Sequence, residues 1–187
     1  LENELDTKFL YSKNIIRFIH NETEFSKWKK LKENPTLNEY LGDLIPDSEI
    51  RHFNKTAIAG FKILNSGYVR TQIFLQSIRQ YFVSKGILID SEFSPDDLTI
   101  SDESVTWKNI SAKTLIFCEG YKVKDNPYFD WIPCNHAKGD ILTLDAPTLN
   151  CENILNFGKW LLPLDNHTYK FGSTYQWDNL NETPHKE

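Results

Sequence analysis

Residues 56–93 read TAIAGFKILNSGYVRTQIFLQSIRQYFVSKGILIDSEF, and their punctuation decides the fold class. TAIAGFKIL (56–64) is an apolar run that Asn65-Ser66-Gly67 turns, so it is expected as a strand. From Thr71 to Lys85, Phe74, Ile78, Tyr81 and Phe82 fall on one helical face, and Gly86 stands where a helix stops. GILIDSEF (86–93) reads as a strand again.

Working outward, KFLYSKNIIRFIH (8–20) reads as two strands around Ser12-Lys13-Asn14. Asn21 followed by Glu24 has the form of a capping box. Phe25, Trp28 and Leu31 then recur at helical spacing until Asn34-Pro35, a stripe that reads as core packing. Residues 35–54, with Pro35, Gly42, Pro46 and many acids, read as a loop region with room for one short helix. Downstream, Leu98–Ile100 and Val105–Trp107 form a short meander. In TLIFCEGYK (114–122) the unbroken apolar run to Cys118 reads as a strand buried on both faces. GDILTL (139–144) is another strand, and KWLLPLDNHTYKFGSTYQ (159–176) gives two around Asp165-Asn166. Strands, helix, strand, loop, strand, helix and then mostly strands is an α+β order.

Composition narrows the function classes. A net charge of -5 argues against a nucleic-acid surface, which needs a basic stripe. Lys27, Lys29, Lys30 and Lys32 read as a solvated helix face. Cys118, Cys134 and Cys151 are odd in number and without a C-x-x-C, so neither a disulfide framework nor a zinc site is expected, and a reducing, cytoplasmic setting fits. No apolar run approaches the ~20 residues of a membrane helix. The N-x-S/T triplets at Asn21, Asn54, Asn109, Asn166 and Asn181 matter only in a secreted protein, which nothing else supports. No methionine occurs, and the chain is expected to be a piece of something longer.

Most familiar chemistry is absent from the residues. There is no Gly-x-Gly, hence no dinucleotide fingerprint or P-loop, and no G-x-S-x-G elbow. His20, His52, His136, His167 and His185 stand far apart, without metal-ligand spacing, and read as surface or turn residues. Asp96-Asp97 and Asp102-Glu103 read as turn acids. What remains is Gly120, at the expected end of a buried strand. Ligands bind at the carboxyl ends of strands in open α/β sheets, and a glycine there admits close backbone approach; it serves equally as a turn glycine.

Four segments, in order, carry a resemblance: AGFKILNSGYVRTQIFLQSIRQYFVSKGILI (59–89), SAKTLIFCEGY (111–121), PCNHAKGDILTL (133–144) and KWLLPLDNHTYKFGSTYQWDNLNETP (159–184). Together they resemble the FAD-dependent D-amino-acid oxidase and glycine oxidase family. The first is similar to its strand, turn, helix and "G-v-x-i" strand. The second resembles its "V-V-x-A-a-G" strand, the third its "p-x-r-G-q-x-l-x-l" stretch, and the fourth its "P-r-x-x-G-r-x-x-x-G-a-T-x-e" stretch. The resemblance implies a mostly antiparallel or mixed-sheet substrate domain packed with helices, plus part of a Rossmann-type FAD domain. It assigns residues 1–66 and 122–187 to the former and 67–121 to the latter. It implies an oxidoreductase that passes a hydride from a small amine or amino-acid-like substrate to FAD. It places Phe93, Ser94, Cys118, Glu119 and Gly120 against the cofactor, and Lys138, Gly139 and Trp160 against the substrate. It names no catalytic residue and no metal. Read from the residues alone, Trp160 also serves as core, and Cys118 reads as an inert buried thiol.

Departures from the pattern set a further expectation. The family's N-terminal Gly-x-Gly-x-x-Gly and its later Gly-x-Arg-Pro, whose arginine grips a substrate carboxylate, do not occur here. Leu164 stands where an arginine follows the proline, Asn166-His167 displaces a turn glycine, and Cys118-Glu119-Gly120 replaces "A-a-G". FAD is therefore expected in the whole protein and not to be retained by this chain alone. A non-catalytic α+β binding or interaction module is the alternative reading.

Overall fold

A computed structural model describes residues 1–178, 180, 181, 183 and 184. In chain order it holds a one-turn helix α1 (Glu2–Leu5), strands β1 (Leu10–Ser12) and β2 (Ile15–Ile19), helix α2 (Glu22–Lys32), strand β3 (Leu41–Leu44) and helix α3 (Asp47–Phe53). Strands β4 (Ala59–Ile63) and β5 (Gly67–Val69) lead into helix α4 (Thr71–Ser84). Strands β6 (Leu98–Ile100), β7 (Val105–Trp107) and β8 (Ile110–Ala112) follow, then β9 (Ile141–Asp145), β10 (Ile154–Asn156), β11 (Trp160–Pro163) and β12 (Thr168–Gly172). The fold is α+β. Its main sheet runs β3-β4-β2-β10-β11-β12-β9, and it is mixed because β2 and β10 are parallel while the other neighbours are antiparallel.

The alternation of β2 builds two cores. Ile16 and Phe18 point to one face and pack with Ile45, Ile50, Leu155, Leu161 and Tyr169. Ile19 points to the other and packs with Leu41, Ala59 and Phe61, under Phe25 and Trp28 of α2. The aromatic stripe of α2 is thus largely core, with the Trp28 ring 5.8 Å from that of Phe61, while Leu31 is exposed. Half of the expected capping box forms: the Asn21 side chain accepts from the Glu24 amide at 2.9 Å, while the Glu24 carboxylate accepts from the His20 amide, one residue before the cap, at 3.0 Å. Gly60 lies opposite Phe18 in the ladder, and Ile45 packs over it; a Cβ there would stand 3.0 Å from Ile45 Cδ1.

The two strands expected around Ser12-Lys13-Asn14 both form, but not with each other. β1 pairs with β5 in a separate ribbon. Tyr11 and Tyr68 stack across it at 5.2 Å, and the Arg70 guanidinium sits over Tyr11 while pairing with Asp165 in the β11–β12 turn. Phe9 against Phe74, at 4.9 Å, and the Tyr81 hydroxyl on Glu4, at 3.1 Å, fasten α4 to this end. α4 ends as expected. Gly86 is left-handed at φ 65°, its amide donates to Val83, and the Ile87 amide donates to Phe82, a Schellman pattern.

Three expectations are corrected. The stretch 35–54 holds the short helix for which there was room, α3, but it also contains edge strand β3, which was not expected. GILIDSEF is not a strand, and Ile87 is 65% exposed. Nor is the run Thr114–Cys118 a buried strand; Ile116 is 77% exposed. Both runs have the composition of strands, but a strand must pair its backbone groups with a neighbour. Among the described residues no strand lies beside either. β8 and β10, three residues each, were not expected. No helix among the described residues is long and apolar enough to cross a membrane.

Candidate functional site

Of the expected cofactor-side residues, Phe93 packs against the Phe117 ring. Phe117 lies 5.8 Å from Phe93 and 5.4 Å from Phe129, and Phe93 lies 5.6 Å from Trp107. Phe117 is thus the one residue of its apolar run that turns into a cluster, and it brings the chain before Cys118 against Phe93. Ser94 uses its hydroxyl locally, accepting from the Asp96 amide at 3.3 Å at the start of the 3-10 turn Pro95–Asp97. Cys118 is exposed, which corrects the buried-thiol reading.

Glu119 has a specific partner that the sequence did not reveal. Asn126, only 2% exposed, donates from Nδ2 to the Glu119 carboxylate at 2.7 Å, while its Oδ1 accepts from the Tyr128 amide at 2.9 Å. The Asn126-Pro127 dipeptide marked a turn but not this bond. Gly120 is left-handed at φ 59° and opens the 3-10 helix Gly120–Asp125. Apart from its own residue and its two chain neighbours, no described atom lies within 4 Å of where its Cβ would be, so the backbone there is open to approach.

The expected substrate-side residues meet at the far end of β11 and β12. Lys138 bridges Gln176 in antiparallel fashion, donates from its ammonium to the Thr183 carbonyl, and lies 3.8 Å from Asp140. Gly139 packs closely there, since a Cβ would stand 3.0 Å from the Thr174 carbonyl oxygen. Trp160 lies across Gly172, whose added Cβ would meet the indole at 3.1 Å. Lys159 donates to the Ser173 carbonyl beside them.

Tyr121 links the two groups, its ring 6.4 Å from that of His136, just before Lys138. Three buried polar atoms here lack a partner among the described residues: Trp107 Nε1 in the aromatic cluster, and His136 Nε2 and Gln176 Oε1 flanking Lys138. His136 was expected as a surface or turn residue and Gln176 carried no expectation; only proximity to Lys138 in the fold marks them. His52 rests on Phe53 at 4.5 Å, His167 is a left-handed turn residue, and His185 lies outside the described residues. No group of three or more His, Cys, Asp or Glu among the described residues is placed to hold a metal.

An open cleft of about 550 Å³ lies elsewhere, lined by Lys13, Leu149, Cys151, Pro163, His167 and Tyr169 among others, and contains none of the expected site residues. Burial pushes the Cys151 thiol up to about 11. Cys118 and Cys134 are exposed. A disulfide reagent near pH 8 should therefore titrate those two thiols quickly and Cys151 only on unfolding, because the thiolate is the nucleophile. Three equally fast thiols would contradict this placement.

No protein-family model matches the chain. Its fold is similar to that of a solved glycine oxidase from Bacillus cereus ATCC 14579, with a TM-score of 0.69 at 14% sequence identity. The match covers 98% of this chain and 54% of that one, so the chain spans about half the length of that structure.

Proposed function

We propose that this chain is the central and substrate-side portion of a FAD-dependent oxidoreductase that oxidises a small amine or amino-acid-like substrate by hydride transfer to flavin. The observation that carries this reading is the likeness of nearly the whole chain to half of a glycine oxidase. In this reading residues 1–66 and 122–187 are the substrate-binding part, and 67–121 belong with the FAD-binding part. The setting is cytoplasmic, in keeping with three free cysteines. The two exposed apolar runs, at Ile87–Ile89 and Leu115–Ile116, are then surfaces that the rest of the protein covers.

The residues fit one part of such a cofactor. Trp107 Nε1 is a buried donor beside Phe93 that a ring nitrogen or carbonyl would satisfy. Glu119, oriented by Asn126, can accept from ribose hydroxyls, and Gly120 leaves its backbone open beside it. Nothing among them fits a pyrophosphate, which needs a glycine-rich turn at a helix N-terminus. When bound, the flavin supplies the hydride acceptor, and the protein supplies position and electrostatics. On the substrate side, Trp160 over Gly172 gives an apolar wall, Lys138 a cation, and His136 and Gln176 polar contacts.

The test at hand is titration of FAD into the 187-residue chain, followed by flavin fluorescence. The expected result is no saturable binding tighter than about 1 mM, roughly 4 kcal/mol. Stoichiometric yellow flavin on this chain would overturn the view that its phosphate site comes from elsewhere.

A further inference from the structure

The two edges of the main sheet are treated differently. At β3 the register shifts between Leu41 and Leu44, Leu41 and Gly42 are buried, and the Lys32 ammonium donates to the Leu41 carbonyl. A bulge and a lysine are standard means of blunting an edge. At β9 there is no bulge, and the nearby lysine, Lys170, bonds a side chain and leaves the backbone carbonyls of the edge uncapped. Its ladder with β12 is unbroken over five residues, and all five are exposed, with Ile141 at 51%, Leu142 at 57% and Leu144 at 36%. No strand lies on its outer side among the described residues.

We infer that β9 is a self-association edge, pairing antiparallel with β9 of a second copy about a two-fold axis at Thr143. The segment Ile141-Leu142-Thr143-Leu144-Asp145 is self-complementary in that register. Leu142 meets the partner's Leu144, which sets four leucines side by side on one face. On the other face Lys170, across from Thr143 in β12, reaches Thr143 Oγ1 at 2.6 Å and so holds its ammonium at the edge. Asp145 shares that face. Neither Lys170 nor Asp145 makes an ion pair among the described residues. The two-fold puts the partner's Asp145 one diagonal step from Thr143, roughly 7 Å away and within reach of the lysine. Two symmetric ion pairs result. Sliding the register so that Leu142 faces the partner's Thr143 would instead set Asp140 against the partner's Asp145, like charge against like. A pairing of about five residues a side is smaller than the roughly 20–30 of a stable interface, so the dimer is weak and concentration-dependent.

Sedimentation equilibrium on the 187-residue chain should show a monomer–dimer equilibrium in the micromolar range. Lys170→Glu should weaken it tenfold or more, and adding Asp145→Lys should restore it. Leu142→Lys should abolish it with an unchanged circular dichroism spectrum. Directly opposed residues have Cα atoms about 4.5–5.5 Å apart, within disulfide reach. Thr143→Cys, in a background of Cys118→Ser and Cys134→Ser, should therefore form a 143–143 cross-link under mild oxidation. A monomer throughout, a dimer indifferent to Leu142→Lys and Lys170→Glu, or no 143–143 link would each overturn the proposal.

Discussion

Replacing Phe18 by alanine should destabilise the chain by about 3–5 kcal/mol. Phe18 is completely buried on β2, an interior strand of the sheet, and belongs to the cluster with Ile16, Ile45, Ile50 and Leu155. Its surroundings can close only in part over a vacancy, through Ile45. The residue opposite it is Gly60, which has no side chain to move in, and β4 and β10 hold β2 on both sides. A cavity that stays open costs its lost contacts as well as the lost transfer energy. Urea denaturation should show the midpoint falling with an unchanged slope. A loss below about 1 kcal/mol would mean that Phe18 is not the centre of this core.

Gly67→Ala should have an effect of similar size for a different reason. An added Cβ would fall on the Tyr11 carbonyl oxygen, 3.1 Å from Tyr11 C and 3.2 Å from Ser12 Cα. All three are backbone atoms, and a backbone does not step aside as a side-chain tip does. The β1–β5 ribbon must open at Ser12, which faces Gly67. With it go the Tyr11–Tyr68 stack, the guanidinium over Tyr11 and the alignment of Arg70 with Asp165. Overpacking of this kind costs about 3 kcal/mol, the upper end of its usual range. Hydrogen exchange should locate the loss in residues 10–12 and 67–69. Wild-type protection there in the alanine variant would contradict the pairing described.

What the sequence made legible was local. The cap of α2 needs only Asn21 and Glu24, the stop of α4 only Gly86, and the β11–β12 hairpin only two apolar runs around Asp165-Asn166. β3 was hidden because LGDL lies among acids and prolines, and becomes a strand only through β4. GILI and TLIF failed in the opposite sense. Their composition says strand, but composition cannot supply the neighbour that a strand needs. Among site residues, Gly139 could be marked as a place of close approach, yet the Thr174 carbonyl it meets is a product of the fold. Glu119 was visible as an odd acid, and its partner Asn126 was not.

The central claim is that this fold completes a flavin site together with sequence beyond it. It is tested most directly by purifying the product of the whole reading frame that contains these residues and measuring its flavin. The account predicts one FAD per chain, bleached anaerobically by a small amine or amino acid, with Cys118 and the Ile87–Ile89 amides protected relative to the 187-residue chain. A complete product that carries no FAD, and leaves those residues as exposed as they are here, would contradict it.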